Sequence, residues 1–245
     1  MLKFGNMVSV ALCAAGLLAT TGAVLSEDTI AQGATTGWIA DLDVGAAFRY
    51  GSSSTTTGGA FNSGTAYGVE FDPALRLGGS FGFQYSPALD VFLSYNYIDG
   101  ATRWKADFGP GADTAFDGRA HSHVVLANAR YGHEFSPSTR ISALLGAGIA
   151  INGLSGVVES DAVSGTKVSD IADGSVTSFA ARTGLELTHD LSQNVGLKLG
   201  MGLDYYGGFK TGASRLRLGA NQPIGAYELQ PAWGVTVSAG LAARF

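Results

Sequence analysis

From Trp233 to Phe245 the chain alternates without a break. Trp233, Val235, Val237, Ala239, Leu241 and Ala243 fall on one side, Gly234, Thr236, Ser238, Gly240, Ala242 and Arg244 on the other, and the run closes on an aromatic. A period of two held over that length is a strand with two differently solvated faces, because successive side chains leave a strand on opposite sides.

Seven earlier segments alternate in the same way. The first sets Trp38, Ala40, Leu42, Val44, Ala46, Phe48 and Tyr50 against Asp41, Asp43, Gly45 and Arg49, and the second, about Val69 to Tyr85, sets its apolar residues against Glu70, Asp72, Arg76, Ser80 and Gln84. A short third strand carries Val91 to Tyr97, and a fourth places Val125 to Tyr131 opposite Asn128 and Arg130. The fifth runs Ile141 to Asn152, the sixth opposes Phe179, Ala181, Leu185 and Leu187 to Ser178, Arg182 and Glu186, and the seventh opposes Val195 to Tyr205 to Lys198 and Asp204. In every segment the Asp, Glu, Lys and Arg residues keep to the polar face. Hydrocarbon imposes that exclusion: an Arg or Lys at the midplane of a barrel's lipid face costs about 2–4 kcal/mol. A sheet in lipid must also close on itself, since an open edge leaves backbone groups unsatisfied. The expected fold is therefore all-β, an eight-stranded antiparallel up-and-down transmembrane barrel.

A soluble barrel of lipocalin type is the competing arrangement, with the apolar face turned inward. The glycine-rich polar face favours the membrane form, because an eight-stranded interior is narrow and lipid tolerates bulk outside. Connections alternate in length: Ser86 to Asp90, Phe135 to Thr139 and Asp190 to Gln193 are short, while Gly51 to Gly68, Asp99 to Gly118, Gly153 to Gly174 and Gly207 to Tyr227 are long. Short turns are periplasmic and long loops external in bacterial barrels. Trp38, Tyr85 and Phe245 then mark the inner rim and Tyr50, Tyr97 and Tyr205 the outer one.

The N-terminus fits this address. Lys3 precedes an apolar stretch from Val8 to Ala19 and the small residues Thr21-Gly22-Ala23, so 1–23 reads as a secretory signal, 24–36 as a periplasmic lead and 37–245 as the barrel domain. The stretch is shorter than a spanning helix requires. Cys13 is the only cysteine and lies within it, which leaves the remaining chain without thiol chemistry. The net charge of −5 becomes −6 without Lys3, which excludes the basic surface that nucleic acid requires.

Leu126-Ala127-Asn128-Ala129-Arg130-Tyr131, Leu145-Gly146-Ala147-Gly148-Ile149-Ala150 and the terminal Ser238 to Phe245 resemble the small outer-membrane β-barrel proteins of Gram-negative bacteria, of the opacity-protein and OmpA-barrel type often labelled porin-like. Ser238, Gly240, Ala243 and Phe245 match the spacing of the family's assembly signal, with Ala243 a small choice for its position. The resemblance implies an outer-membrane location and, as partners, outer-membrane lipid and lipopolysaccharide and the assembly machinery. It implies little about activity, since a fold does not fix a function.

The polar face supplies a candidate lumen charge network. Its acids are Asp41, Asp43, Glu70, Asp72, Glu186, Asp204 and Glu228; its bases are Arg49, Arg76, Arg130, Arg182, Lys198 and Arg244. Parity allows a register with Arg49 opposite Glu70 and Arg76 opposite Asp43, and another with Glu186 opposite Lys198. Buried charges must pair, so the expectation is a salt-bridged, mostly filled lumen with a structural or surface-interaction role. A narrow channel for small solutes is the alternative, and a lipid-modifying enzyme a more distant one. His121-Ser122-His123 is the one suggestive catalytic cluster, yet neighbours on a strand point to opposite faces, and the two histidines have no evident third metal ligand. Neither catalytic residue nor cofactor is expected. Arg103-Trp104-Lys105, Lys210, Arg215 and Arg217 are basic groups in the external loops, where anionic headgroups or an extracellular ligand would bind.

Overall fold

A computed structural model describes residues 36–51, 55–56, 64–109 and 113–245. The expected signal, 1–23, and all but the last residue of the 24–36 lead fall outside these residues. Thirteen strands and no helix occur among the described residues. Eight form a closed antiparallel ring: β1 (Gly37–Tyr50), β4 (Ala74–Gln84), β5 (Leu89–Asp107), β6 (Asp113–Ser136), β7 (Thr139–Asp161), β9 (Gly174–Asp190), β10 (Val195–Lys210) and β13 (Glu228–Arg244), the last pairing back onto β1. The expected all-β, eight-stranded barrel is the observed fold. Five short strands complete the sheet beyond the ring: β2 (Thr55–Thr56), β3 (Gly64–Phe71), β8 (Lys167–Ile171), β11 (Ser214–Arg217) and β12 (Ala220–Pro223).

The faces follow the sequence parity. Leu42, Val44, Leu77, Phe81, Leu93, Leu145, Leu185, Met201 and Leu241 point outward and are exposed, whereas Asp41, Arg76, Arg130, Arg182, Lys198 and Asp204 point inward and are buried. The soluble-barrel alternative fails on this orientation. Aromatic residues edge the apolar belt. Trp38 stacks on Phe81 with centroids 5.1 Å apart near the inner rim, and Tyr205 packs on Trp233 at 4.8 Å near the outer one.

Three sequence expectations are corrected. The second strand is not continuous: Pro73 has no amide to donate, so the segment breaks into β3, which pairs only with β5 and β2, and β4, which enters the ring. The stretch from Asp99 to Gly118 is not a loop, because β5 and β6 stay paired from Leu89↔Tyr131 to Asp107↔Asp113. Both registers expected from parity are displaced by two residues, with Asp43 opposite Gly78 and Glu186 opposite Gly200. A shift of two preserves every inward and outward assignment.

The long strand pairs raise a crown above the membrane section, and there the polarity inverts. On β5 the inward positions read Asp90, Phe92, Ser94 and Asn96 within the belt, then Ile98, Thr102, Trp104 and Ala106 above it, all buried except the part-exposed Ser94. Outward positions change from Val91, Leu93 and Tyr95 to Asp99, Arg103 and Lys105. Below, the wall is dry outside and ionic inside; above, it has the apolar centre of a water-soluble barrel. Trp104, Phe116, Phe209, Tyr227, Leu154 and Leu229 form that centre, with Trp104 and Phe116 stacked at 5.1 Å and Phe116 against Tyr227 at 4.9 Å.

Candidate functional site: the lumen and the crown

The lumen of the membrane section is occupied by charged side chains from several strands. Arg130 of β6 is its hub: Nε donates to Asp90 at 2.7 Å, and Nη1 meets Glu186 at 2.7 Å and Asp41 at 3.3 Å, with the guanidinium 5.1 Å over the Phe92 ring. Arg140 shares Asp90 at 3.0 Å. Lys198 binds Asp41 at 3.0 Å and lies 3.5 Å from Asp43 and 3.8 Å from Glu186. Arg76 donates to both Asp43 and Asn96. Toward the crown Arg182 pairs with Asp204, which also accepts from the Thr236 hydroxyl at 2.8 Å.

Glycines make the room for this packing. A Cβ at Gly78 would lie 2.6 Å from Asp43 Oδ1 and 2.8 Å from the Asn96 amide oxygen. The charges balance: Asp41, Asp43, Asp90, Glu186 and Asp204 face Arg76, Arg130, Arg140, Arg182 and Lys198, and each lies within 4 Å of an opposite charge. A buried ion is tolerated when its partner and remaining hydrogen bonds are supplied.

Of the candidate network residues, the structure brings together Asp41, Asp43, Arg76, Arg130, Arg182, Glu186, Lys198 and Asp204. It places five elsewhere. Glu70 and Asp72 precede the Pro73 break and lie on the outside of the crown, Asp72 paired with Arg103 at 2.7 Å. Glu228 is turned outward by register shifts between β10 and β13 at Gly207, whose φ is +78°, and meets Lys210 at 2.7 Å. Arg244 pairs with Asp190 at the inner rim, at 3.1 Å. Arg49 is buried, but above the network. Asp90 and Arg140 are network members that the sequence pattern does not single out, Asp90 lying at the end of the expected Ser86–Asp90 turn and Arg140 between the Phe135–Thr139 turn and the strand from Ile141, although extending each strand's parity by one residue includes both.

The C-terminal candidates line the seam of the ring. Ser238 and Gly240 lie opposite Gly45 and Asp43, Ala243 opposite Ala40, and the Phe245 amide donates to the Trp38 carbonyl at 2.9 Å. The His121-Ser122-His123 cluster is divided by the wall. Ser122 is buried inside, while His123 faces outward, accepting or donating at 2.8 Å to the Tyr95 hydroxyl and packing on Tyr97 at 5.1 Å. Trp104 is likewise no loop residue: it is buried in the crown, between the outward Arg103 and Lys105. In the β7–β8 turn the amides of Ser164 and Val163 hold the Asp161 carboxyl below its ordinary value.

A closed ring of eight antiparallel strands with an apolar belt, aromatic rims and an ionic interior is a transmembrane barrel of the outer-membrane class. One solved structure agrees on the fold. The chain is similar to a major outer membrane protein from Thermus thermophilus, at 14% identity and a TM-score of 0.54 over 85% of this chain and 99% of that one. It is also similar to the Neisserial surface protein NspA, at 18% identity and a TM-score of 0.38 over 87% and 100% of the two chains. OprG from Pseudomonas aeruginosa matches at 13% identity and a TM-score of 0.49 over 85% and 96%. No family model and no curated sequence matches the chain. The chain thus has the fold of a small eight-stranded transmembrane β-barrel of the outer-membrane class.

Proposed function

We propose that this barrel is a non-conducting, non-catalytic surface protein whose membrane section is a closed scaffold and whose crown is the interacting part. The observation that carries the reading is the double filling of the interior, by five acids matched to five bases within the membrane belt and by an apolar centre above them. Side chains alone fill an eight-stranded barrel. An ion crossing it would have to separate buried pairs and then pass the Trp104–Phe116 stack.

The division of Ser122 from His121 and His123 across the wall supports the absence of a hydrolase centre, since a nucleophile and its base must come within hydrogen-bond reach. Lipid and lipopolysaccharide surround the belt in this reading, the assembly machinery acts on the β13 seam, and an extracellular ligand meets the outward face of the crown. Single-channel recording of the purified protein in a planar bilayer tests it. The reading expects no steady unitary currents, and large stable currents would replace it with the channel. A changed lipid A mass in a deletion strain, restored by the wild-type gene but not by a Ser122→Ala copy, would replace it with an enzyme.

A further inference from the structure

The β11–β12 hairpin closes on a turn that its sequence does not suit. Leu218 and Gly219 follow the Arg217↔Ala220 pair with φ of +50° and +78°, and a two-residue turn with both central φ positive is one that Asn-Gly or Asp-Gly forms readily. Leucine is opposed there, because its Cβ crowds the following carbonyl oxygen. Among the described residues Leu218 is the sole non-glycine with positive φ. It is 98% exposed, so no packing among them offsets the strain.

The hairpin is also basic. From Thr211 to Tyr227 the chain carries two arginines and no carboxylate. Arg215 is engaged, its Nε donating to the Gln222 amide oxygen at 3.1 Å and its Nη1 lying 3.7 Å from Glu159. Arg217 is exposed beside the half-exposed Leu216 and has no ion-pair partner among the described residues. Strand β8 pairs with β11, and the turn that precedes β8 projects Val163 at 95% exposure. The acids of that turn and strand are occupied: Asp161 accepts from the amides of Val163 and Ser164, and Asp170 meets Lys167 at 2.7 Å.

Both tips stand clear of the barrel's own belt. Tyr97 at the outer rim is level with Ile151 of β7 through His123, and Leu216 is level with Val158 through Asp170. The strand from Ile151 to Val158 is roughly 20 Å long at ~3.3 Å per residue.

We infer that these two tips dock on a second phospholipid bilayer with anionic headgroups, apposed to the membrane that holds the barrel. Lone apolar side chains projecting from convex turns bury their surface in a medium that flows around them, whereas a stable protein interface needs about 800 Å² of continuous surface on each partner. Leu218 and Val163 enter the boundary of headgroups and acyl chains, and Arg217 meets the phosphates. The turn holds Leu218 outward before contact, which lowers the ordering cost of docking. The proposal rests on the crown as the interacting part of the protein; channel currents would overturn that reading, while missing vesicle binding overturns this one alone.

The test uses the full barrel in phosphatidylcholine nanodiscs, mixed with sucrose-loaded vesicles of phosphatidylcholine with or without phosphatidylglycerol and followed by co-sedimentation. The parent protein should sediment with the phosphatidylglycerol vesicles, and less so as salt is raised. Arg217→Gln should weaken binding about fivefold. Leu218→Asn should weaken it about tenfold, and asparagine suits the turn, so the hairpin is kept. Leu218→Trp should bind and, relative to the parent, show emission shifted to the blue when these vesicles are added. No sedimentation of the parent, binding by Leu218→Asn equal to the parent's, or an unshifted Leu218→Trp emission would overturn the proposal and assign the tip to a protein partner.

Discussion

Arg130 on β6 reaches across the lumen to Asp41 on β1 at 3.3 Å, joining strands that share no backbone hydrogen bond in the ring. The contact ties opposite walls through side chains alone, and the same Nη1 serves Glu186 on β9. Its geometry depends on a planar fork with several donors at fixed angles.

Arg130→Lys keeps the charge but removes the fork. Arg130 serves Asp90 from Nε and Asp41 and Glu186 from Nη1, two atoms that one ammonium cannot replace at both positions, and leaving a buried acceptor unsatisfied costs about 1–3 kcal/mol. Urea unfolding in lipid vesicles should show a loss of that size with the barrel still forming. An unchanged midpoint would mean that the acids are solvated rather than held by Arg130.

The outward position of Leu199 predicts a defect of insertion. Leu199→Arg places a cation on the lipid face near mid-strand, at a cost of about 2–4 kcal/mol, whereas Leu218→Arg changes a fully exposed crown tip. Folded yield in the outer membrane should fall for the first variant and stay level for the second. Equal yields would reverse the assignment of the faces.

Much of this arrangement was legible from period and parity. Charge exclusion from one face located the belt, and Asp41, Arg76, Arg130 and Lys198 fell inside as parity required. Register was not legible, since a displacement of two residues leaves the pattern unchanged, and only the observed pairing of Asp43 with Gly78 fixes it. The crown was hidden for a different reason. At Ile98 the inward face turns apolar while Asp99, Arg103 and Lys105 turn outward, so a pattern continuous in parity is inverted in polarity and reads as a loop. Pairing of Arg49 with Glu70 failed because Pro73 uncouples β3 from β4.

Trp104→Ala tests the crown as a packed unit. Removing a fully buried indole stacked on Phe116 should cost about 3–5 kcal/mol, and the loss should be confined above the membrane. Limited proteolysis is expected to cut the crown of the variant while the lipid-embedded section stays protected. Resistance equal to the parent's would show that the crown draws its order from elsewhere.

Phe245 latches β13 to β1 through the Trp38 carbonyl, and its ring is exposed toward lipid. Phe245→Ala keeps the backbone bond and removes the ring. The heat-modifiable, folded fraction should fall while export continues; an unchanged fraction would remove the aromatic from the assembly step.

The most direct test of a lumen filled by paired charges is a double-mutant cycle on Arg76 and Asp43, read as unfolding free energy. Arg76→Ala leaves Asp43 buried with fewer partners, and breaking such a pair in a dry interior costs about 3–5 kcal/mol. The double variant Arg76→Ala with Asp43→Ala should lose clearly less than the sum of the two single losses. An Arg76→Ala protein as stable as its parent, with no coupling in the cycle, would mean that water already fills the lumen and that the barrel is an open conduit.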